Sequence, residues 1–493
     1  MTEIELKFQV PPDRRARVEA AVATRPAAPR PLRLQAAYFD TGDGLLASAG
    51  VALRLRREGA RWVQTLKASG ADAMTRLEHN APRRERSAAL PAIDLTLHQG
   101  TPAGERLAAL LASRPDAELA CRYRTDIRRT VRTLRRRGAV LELAFDQGLI
   151  AAGDASLPVC ELEIELLEGS PAALLAVAGE WVQRHGLWLD TRSKAERGTL
   201  LAEGTPRAAA RKSARVSLDV GIDAPAARRQ VLGECLQQVA VNASQLASGD
   251  FGDEHLHQLR VGLRRLRTAL RLFAPVGATN PLEDAAASLF CALGASRDQA
   301  AVGAPLRAQL AAAMAACGSP LVPPELPLGA AADPVQLVRD AAAQRLLLDL
   351  MAATLEPPAA PAAEPAVDLL VPRLDRWHRQ VRRDAGRFAA LDDASRHRLR
   401  KRVKQLRYGV EFARGLLGAK KAARYLQALA ALQERLGELN DAVVGWVALK
   451  AAPAADPAVA FALGWLSARR EALAATCTPA LAGFLAAKRP WRH

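Results

Sequence analysis

The period of the hydrophobic pattern changes once along this chain, and that change constrains its fold more than any other feature. Up to about residue 200, apolar and polar residues alternate in short runs such as Ile4-Glu5-Leu6-Lys7-Phe8, Val51-Ala52-Leu53-Arg54-Leu55-Arg56, Trp62-Val63-Gln64-Thr65-Leu66-Lys67 and Leu141-Glu142-Leu143-Ala144-Phe145. A period of two belongs to strands with one wet face. From about Ala226 onward the apolar residues recur every three or four positions, as on helices that pack along one side. Aromatics are only 4% of the 493 residues, so leucine, valine and alanine must build much of the core. A polar, alanine-rich stretch from Gly204 to about Ser213 lies between the two patterns. The expected organisation is an α+β chain: a sheet domain over 1–203, a linker over 204–224 and an all-α domain over 225–485.

Prolines punctuate the helical part at Pro320, Pro323, Pro324 and Pro327 and again at Pro357, Pro358, Pro361 and Pro365. Such clusters do not sit inside a continuing helix. The second cluster divides two halves that resemble each other. His257 is followed by Arg260, Arg264 and Arg267, and His397 by Arg400, Lys404 and Arg407, at the same offsets of three, seven and ten. Further along, Leu293-Gly294-Ala295-Ser296-Arg297-Asp298 matches Leu436-Gly437-Glu438-Leu439-Asn440-Asp441. Two landmarks in the same order and at nearly the same separation predict an internal duplication, hence two related bundles with a pseudo-twofold relation.

Charge gives the alternating strands their meaning. Glu3, Glu5 and Lys7 share one face of the first strand, Arg54 and Arg56 share another, Arg61 and Lys67 a third, and Arg76 pairs with Glu78 on the next. Glu161, Glu163 and Glu165 line one face of a later strand whose other face is Leu162, Ile164 and Leu166. One such face is an ordinary wet surface; several, of both signs, predict more. Three carboxylates on one side repel unless water, basic groups or a metal compensates them. A hard divalent cation such as Mg²⁺ would do so and could also bind phosphate. If the sheet curls so that these faces point inward, the lumen is polar, with arginine and lysine for phosphate oxygens and carboxylates for a metal. That suits a small, linear, highly charged polyphosphate.

These segments resemble the CYTH, or triphosphate tunnel metalloenzyme, family. The resemblance rests on Glu3-x-Glu5-x-Lys7, Tyr38-Phe39-Asp40-Thr41, Leu53-Arg54-Leu55-Arg56, Gln64-Thr65-Leu66-Lys67 with Arg76-x-Glu78, Glu163-Ile164-Glu165-Leu166 and Ser193-Lys194. It implies an eight-stranded antiparallel tunnel, with helices, that hydrolyses triphosphates with Mg²⁺ or Mn²⁺. By that comparison Glu3, Glu5, Glu163 and Glu165 correspond to metal ligands, and Arg54, Arg56, Lys67 and Lys194 to phosphate-binding residues. Lys7, Glu78, Arg129 and Asp146 join them as tunnel charges. Glu161 is either a further ligand or an entrance carboxylate. Water is the expected acceptor, since no serine, cysteine or histidine constellation offers a covalent nucleophile.

In the helical half, His257, Arg260, Arg264, Arg267 and Arg271 fall within an arc of about 80° beside a leucine stripe. His397, Arg400, Lys404 and Arg407 repeat the arrangement. Like charges one turn apart cost a few tenths of a kcal/mol per pair, and repeating the cost in both halves implies a bound anion. The net charge of +17 agrees. Nucleic acid is disfavoured, because only Tyr408 offers a stacking ring beside these arcs. A metal shared by the two histidines is also poorly supported, the second being surrounded by arginine and lysine. The segments from His257 to Arg267 and from His397 to Tyr408 are similar to the CHAD family, with Arg297-Asp298 and Asn440-Asp441 as its later landmarks. That resemblance implies two related four-helix bundles binding long-chain inorganic polyphosphate.

The reading is therefore a metal-dependent inorganic triphosphatase joined to a polyphosphate-binding domain. An organic triphosphatase acting on thiamine triphosphate or a nucleotide, and a non-catalytic polyphosphate-binding or targeting protein, are the alternatives. Six scattered cysteines argue against a zinc knuckle or a disulfide scaffold. The absence of a signal-like start or a long apolar run leads to the expectation of a cytoplasmic protein without membrane insertion.

Overall fold

A computed structural model describes residues 2–23, 31–70, 75–85, 89–205, 207–275, 277–294, 302–327, 332–355, 364–452 and 456–491. The landmark pair Arg297-Asp298 lies outside the described residues, as do Pro357, Pro358 and Pro361. The chain forms two compact units. The first comprises 1–211, 240–251 and 338–355, and the second 212–239, 252–337 and 356–493.

The first unit is built on nine strands: β1 (Thr2–Gln9), β2 (Leu32–Asp40), β3 (Val51–Glu58), β4 (Arg61–Ser69), β5 (Thr75–Pro82), β6 (Ala120–Arg136), β7 (Ala139–Ala152), β8 (Ala155–Glu168) and the short β9 (Trp188–Leu189). Their order is β5-β4-β3-β2-β6-β7-β8-β1-β9, and every pairing is antiparallel. Because Thr2 to Ile4 of β1 also pair with Leu77 to Thr75 of β5, strands β1 to β8 close on themselves and β9 rides outside on β1. This is the eight-stranded antiparallel tunnel that the family resemblance implies.

Closure removes the sheet edge and separates two environments along every strand. Leu53 and Leu66 face outward with Leu46 and Leu107, which come from α2 (Leu45–Ser48) and α3 (Pro102–Ala112). Asp40 of the Tyr38-Phe39-Asp40-Thr41 run starts α2 by accepting from the Leu46 and Ala47 amides, at 2.8 and 2.9 Å. Helix α4 (Pro171–His185) covers β7 and β8 and packs against a helix at Ala341–Thr354. The latter segment belongs to the first unit because Gln344 Oε1 accepts from the Leu189 amide, at 2.7 Å, and Arg339 Nε donates to the Ala247 carbonyl, at 2.7 Å. The inward faces carry the charges, together with an apolar patch of Tyr38, Tyr123, Ile127, Ile150 and Val159 that packs on α5 (Lys194–Ala202). Only glycine fits at position 198 of α5, since a Cβ there would lie 2.2 Å from the Tyr123 ring.

In the second unit the apolar stripes read from the sequence become α7 (Asp253–Phe273) and α13 (Asp393–Ala413). Helices α12 (Ala366–Gly386), α13, α14 (Ala419–Leu449) and α15 (Pro457–Ala486) pack in a ring, each on the next and α15 back on α12. Helix α7 packs on α8 (Pro281–Ala292). The stretch 320–327 with its four prolines is not helical. Among the described residues no helix is long and apolar enough to cross a membrane.

Candidate functional site

Strand register determines which charges meet in the tunnel. Glu5 lies opposite Glu165, Lys7 opposite Glu163 and Gln9 opposite Glu161 on β1 and β8. On β7, Glu142 lies opposite Glu165 and Asp146 opposite Glu161, while Arg129 of β6 is the partner of Asp146. Lys67 lies opposite Glu78. Alternation alone could place each residue on a face; only the register shows its neighbour.

The result is three groupings. In the first, Arg129 bridges Asp146, at 2.6 and 2.7 Å, and Glu163, at 2.5 Å. Lys194, from the first turn of α5, joins the same carboxylates at 2.6 and 2.9 Å and also pairs with Glu161. Glu161 is fully buried, pairs with Arg197 and accepts from Gln9, at 3.1 Å. It is thus an anchor for α5 rather than a carboxylate at an entrance. Arg197, one turn beyond Lys194 on α5, was not singled out in the sequence; its spacing of three was the available signal. Burial works against the Glu163 carboxylate, but Lys194, Arg129 and Lys7 hold it well below its usual range. Asp146, Glu161 and Glu163 form the one group of three possible metal-ligand residues among the described residues, with ligand atoms within 4.8 Å. Their arrangement is already served by three cations, Arg129, Lys194 and Arg197.

The second grouping is acidic. Glu165 has carboxylates across both neighbouring strands, and its own is pushed up to about 7 by burial, then by Glu142 and Glu5. Glu5 itself pairs with Lys7 at 3.1 Å. Nearby, Lys67 holds Glu3 at 2.9 Å and Glu78 at 2.5 Å. Burial and a hydrogen bond with Glu78 push Glu3 up to about 8, so these two carboxyls share a proton. Glu142 had not been read as part of the site; it lies four residues before Asp146 on the same strand, at the spacing of one face. The side chain of Arg76 lies outside the described residues.

The third grouping is cationic. Arg54 Nη1 donates to Tyr38 Oη at 3.3 Å, and Arg56 Nε donates to Glu58 at 2.7 Å. The charge of Arg54, then burial, and further the charge of Arg129, lower the affinity of Arg56 for its proton. Three guanidinium groups therefore face one another inside the wall. Glu58 offsets only part of that charge.

The helical unit treats its cations differently. Helix α7 is buried around most of its circumference, so the first arc is less exposed than periodicity implied. Arg260 is buried, donates to the Phe290 carbonyl at 2.9 Å and lies 4.3 Å from the Phe290 ring; Arg264 lies 5.6 Å from it. Arg267 is 3.6 Å from Glu283, which Arg271 also engages at 2.7 Å. On α13, His397 Nδ1 is 2.6 Å from Asn440 Oδ1, Arg400 is 3.9 Å from Asp441, and Arg407 donates to Gln433 at 2.9 Å. Phe290 is the aromatic that the arc itself lacked, supplied by the neighbouring helix α8. Lys404 and His257 also make contacts.

Comparison with known proteins agrees with both halves. Residues 1–199 match the CYTH domain family and residues 230–450 the CHAD domain family. An inorganic triphosphatase of Haemophilus influenzae is 30% identical over 169 residues, which are 33% of this chain and 44% of that protein. The chain thus spans less than half the length of this curated relative. A solved CHAD domain from the plant Ricinus communis is 32% identical, covers 58% of this chain and 99% of its own, and superposes with a TM-score of 0.48. A solved Hippeastrum protein described as having a dominant triphosphatase activity is 21% identical, with coverage of 41% and 96% and a TM-score of 0.29. The ordered motifs and the two family matches agree, and the chain is a CYTH domain followed by a CHAD domain.

Proposed function

We propose that the tunnel hydrolyses inorganic triphosphate to phosphate and pyrophosphate with Mg²⁺ or Mn²⁺, and that the helical unit binds long-chain inorganic polyphosphate. The observation that carries the first half is the coexistence, within one closed wall, of the adjacent guanidinium groups Arg54 and Arg56 with the acidic group Glu5, Glu142 and Glu165. Arg56 and Glu165 each face groups of their own sign. A triphosphate answers the first and a divalent cation the second.

The donor set fits such a cation. It is made of carboxylate oxygens, the hard ligands that Mg²⁺ and Mn²⁺ take, and Glu165 is raised by like charges that a cation would relieve. Glu3, Glu5, Glu163 and Glu165 would hold it, with Glu163 shared with Arg129 and Lys194. The bound ion would supply charge neutralisation at phosphate oxygens. Arg54, Arg56 and Lys67 would fix the triphosphate, and Arg129 and Lys194, held by Asp146, would stabilise charge on the departing pyrophosphate. Water adds to the terminal phosphorus, the bridging P–O bond breaks, and the water protons pass to solvent and phosphate oxygens.

In the helical unit the supporting observation is that Arg260 and Arg264 of α7 sit side by side over the Phe290 ring, with Arg267 and Arg271 continuing the row. Arg267, Arg271, His257, His397, Arg400, Lys404 and Arg407 complete the proposed polyphosphate contacts. The test incubates the full chain with triphosphate, long-chain polyphosphate, thiamine triphosphate or ATP, with Mg²⁺, Mn²⁺ or chelator, and quantifies products. Equal phosphate and pyrophosphate from triphosphate, only with metal, is expected. Faster turnover of either organic substrate would reassign the activity, and no turnover at all would leave a binding protein.

A further inference from the structure

A cavity of about 630 Å³ opens between the first turn of α13 and the outer half of α14. Its long wall is aliphatic, with Leu436, Leu439, Val443 and Val447, and Val447, in the last turn of α14, is 57% exposed. One corner is polar, formed by Arg396, His397 and Asn440. The volume is that of a small-molecule site, of the order of 300–1,000 Å³, and a few convergent polar groups on an apolar wall is the usual make-up of one.

The corner has a definite sign. Asp393, the carboxylate of this cavity, is engaged by Arg470, whereas Arg396 stays 3.7 Å from it and stacks 5.0 Å from the Phe388 ring. Arg396 thus shares Asp393 with Arg470 at the longer distance, and its buried Nε has no hydrogen-bond partner among the described residues. Asn440 Nδ2 donates to Asp441, so its Oδ1 is the acceptor for His397 Nδ1–H, and His397 Nε2 is left as an acceptor. Burial, and after it Lys401, Arg400 and Lys404, lower the affinity of that ring for a second proton, against the bond to Asn440. A phosphomonoester monoanion matches both groups, with oxygens for the guanidinium and a P–OH donor for Nε2.

A bare phosphate chain has no use for the aliphatic wall, which gains only by removing apolar surface from water. We infer that this cavity binds a small organic phosphomonoester with an apolar body, its phosphate against Arg396 and His397 and its hydrocarbon against Leu436, Leu439, Val443 and Val447. The inference stands independently of the triphosphatase reading and adds a ligand class to the helical unit.

Calorimetry on the full chain near pH 6, with hexyl phosphate, inorganic phosphate and hexanol as separate probes, tests it. Hexyl phosphate should bind at least tenfold more tightly than either of the others. Val447→Gln, at an exposed position, and Val443→Phe, which fills the cavity, should each weaken hexyl phosphate several-fold while triphosphate turnover stays at the parent level. Equal affinity for hexyl phosphate and inorganic phosphate, or parent affinity in both folded variants, would overturn the inference. Phosphatidylcholine vesicles carrying phosphatidic acid distinguish a lipid headgroup from a free ligand. Vesicle binding indifferent to Val447→Gln is expected, and vesicle binding that this substitution abolishes would overturn the small-molecule site in favour of a membrane surface. A dimer lost in Val447→Gln, without hexyl phosphate binding, would likewise overturn it in favour of a protein interface.

Discussion

Both units bury arginine, the tunnel against carboxylates and the helical unit against carboxylates and aromatic rings together. In the tunnel, Arg129 lies against Asp146 and Glu163, so its charge is answered within the fold. In the helical unit, Arg260 and Arg264 lie on Phe290, whereas Arg265, on Phe412, and Arg407, on Tyr408, also pair with Glu411, at 2.7 and 3.0 Å. A carboxylate cancels a cation's field, whereas an aromatic face stabilises it by about 0.5–2 kcal/mol and leaves the field nearly intact. The tunnel can therefore confine its uncompensated charge to small clusters. The helices combine both means, so the ring contacts add cationic field along α7 and α13 to what Glu283 and Glu411 leave.

Several experiments can break or sharpen this contrast. The largest effect should come from chelating divalent metal: phosphate release from triphosphate should fall by at least about a hundredfold, while polyphosphate binding by the same chain is unaffected. Next, Arg56→Ala should lower kcat/KM for triphosphate by the order of a hundredfold, with a small change in melting temperature, because Arg54 already repels Arg56. Glu165→Gln should lower metal-dependent turnover at least about tenfold, yet leave the melting temperature unchanged or raised, since it removes repulsion among Glu5, Glu142 and Glu165. Parent turnover in that variant would place the metal elsewhere in the tunnel. The double variant Arg264→Gln with Lys404→Gln should weaken polyphosphate several-fold and flatten its salt dependence, leaving triphosphate turnover alone. Calorimetry at two ionic strengths reads both effects.

The smallest effect concerns an uncharged polar site on the tunnel's outer side. Gln64 Nε2 donates to the Asp94 carbonyl and to His98 Nε2, so His98 Nδ1–H donates to His79 at 2.9 Å. Burial, then His79, pushes His98 down to about 4 against an ordinary value of 6.5. The unfolded chain takes up this proton as pH falls below 6.5 and the folded chain does not until about 4. The associated stability is complete above pH 6.5 and is lost as pH falls toward 4. Across that window the melting temperature of His98→Gln should fall a few degrees less than the parent's, as followed by calorimetric scans.

What the sequence made legible follows the range of its signals. Alternation through Leu53-Arg54-Leu55-Arg56 and Glu163-Ile164-Glu165-Leu166 was enough to gather the charges on one face of each strand, because a strand's faces are settled two residues at a time, while closure of the sheet came from the family resemblance. Which charges meet was not legible. Glu142 comes beside Glu165 through the β7–β8 register, and Lys194 reaches Asp146 only because α5 lies on the inward faces. The same limit hid Phe290 beneath Arg260, since helical periodicity describes one helix and says nothing of the side chains that its neighbour offers. It also hid the membership of 240–251 and 338–355 in the first unit, which depends on bonds such as that from the Leu189 amide to Gln344.

The way the tunnel closes sets a timetable for its assembly. β1 is stitched to β5 by only three residue pairs and to β8 by the run from Glu5–Glu165 to Gln9–Glu161. A ribosome releases β1 early, yet its long partner does not emerge until the chain has grown past residue 165, and at about 5–20 residues per second that is a wait of many seconds. Throughout it, Ile4, Leu6 and Phe8 have no finished sheet to join. Such distant pairing is intrinsically slow, so the first strand made is among the last to be fixed, and the interval before closure is when a nascent chain of this design is most exposed to aggregation and most in need of a chaperone.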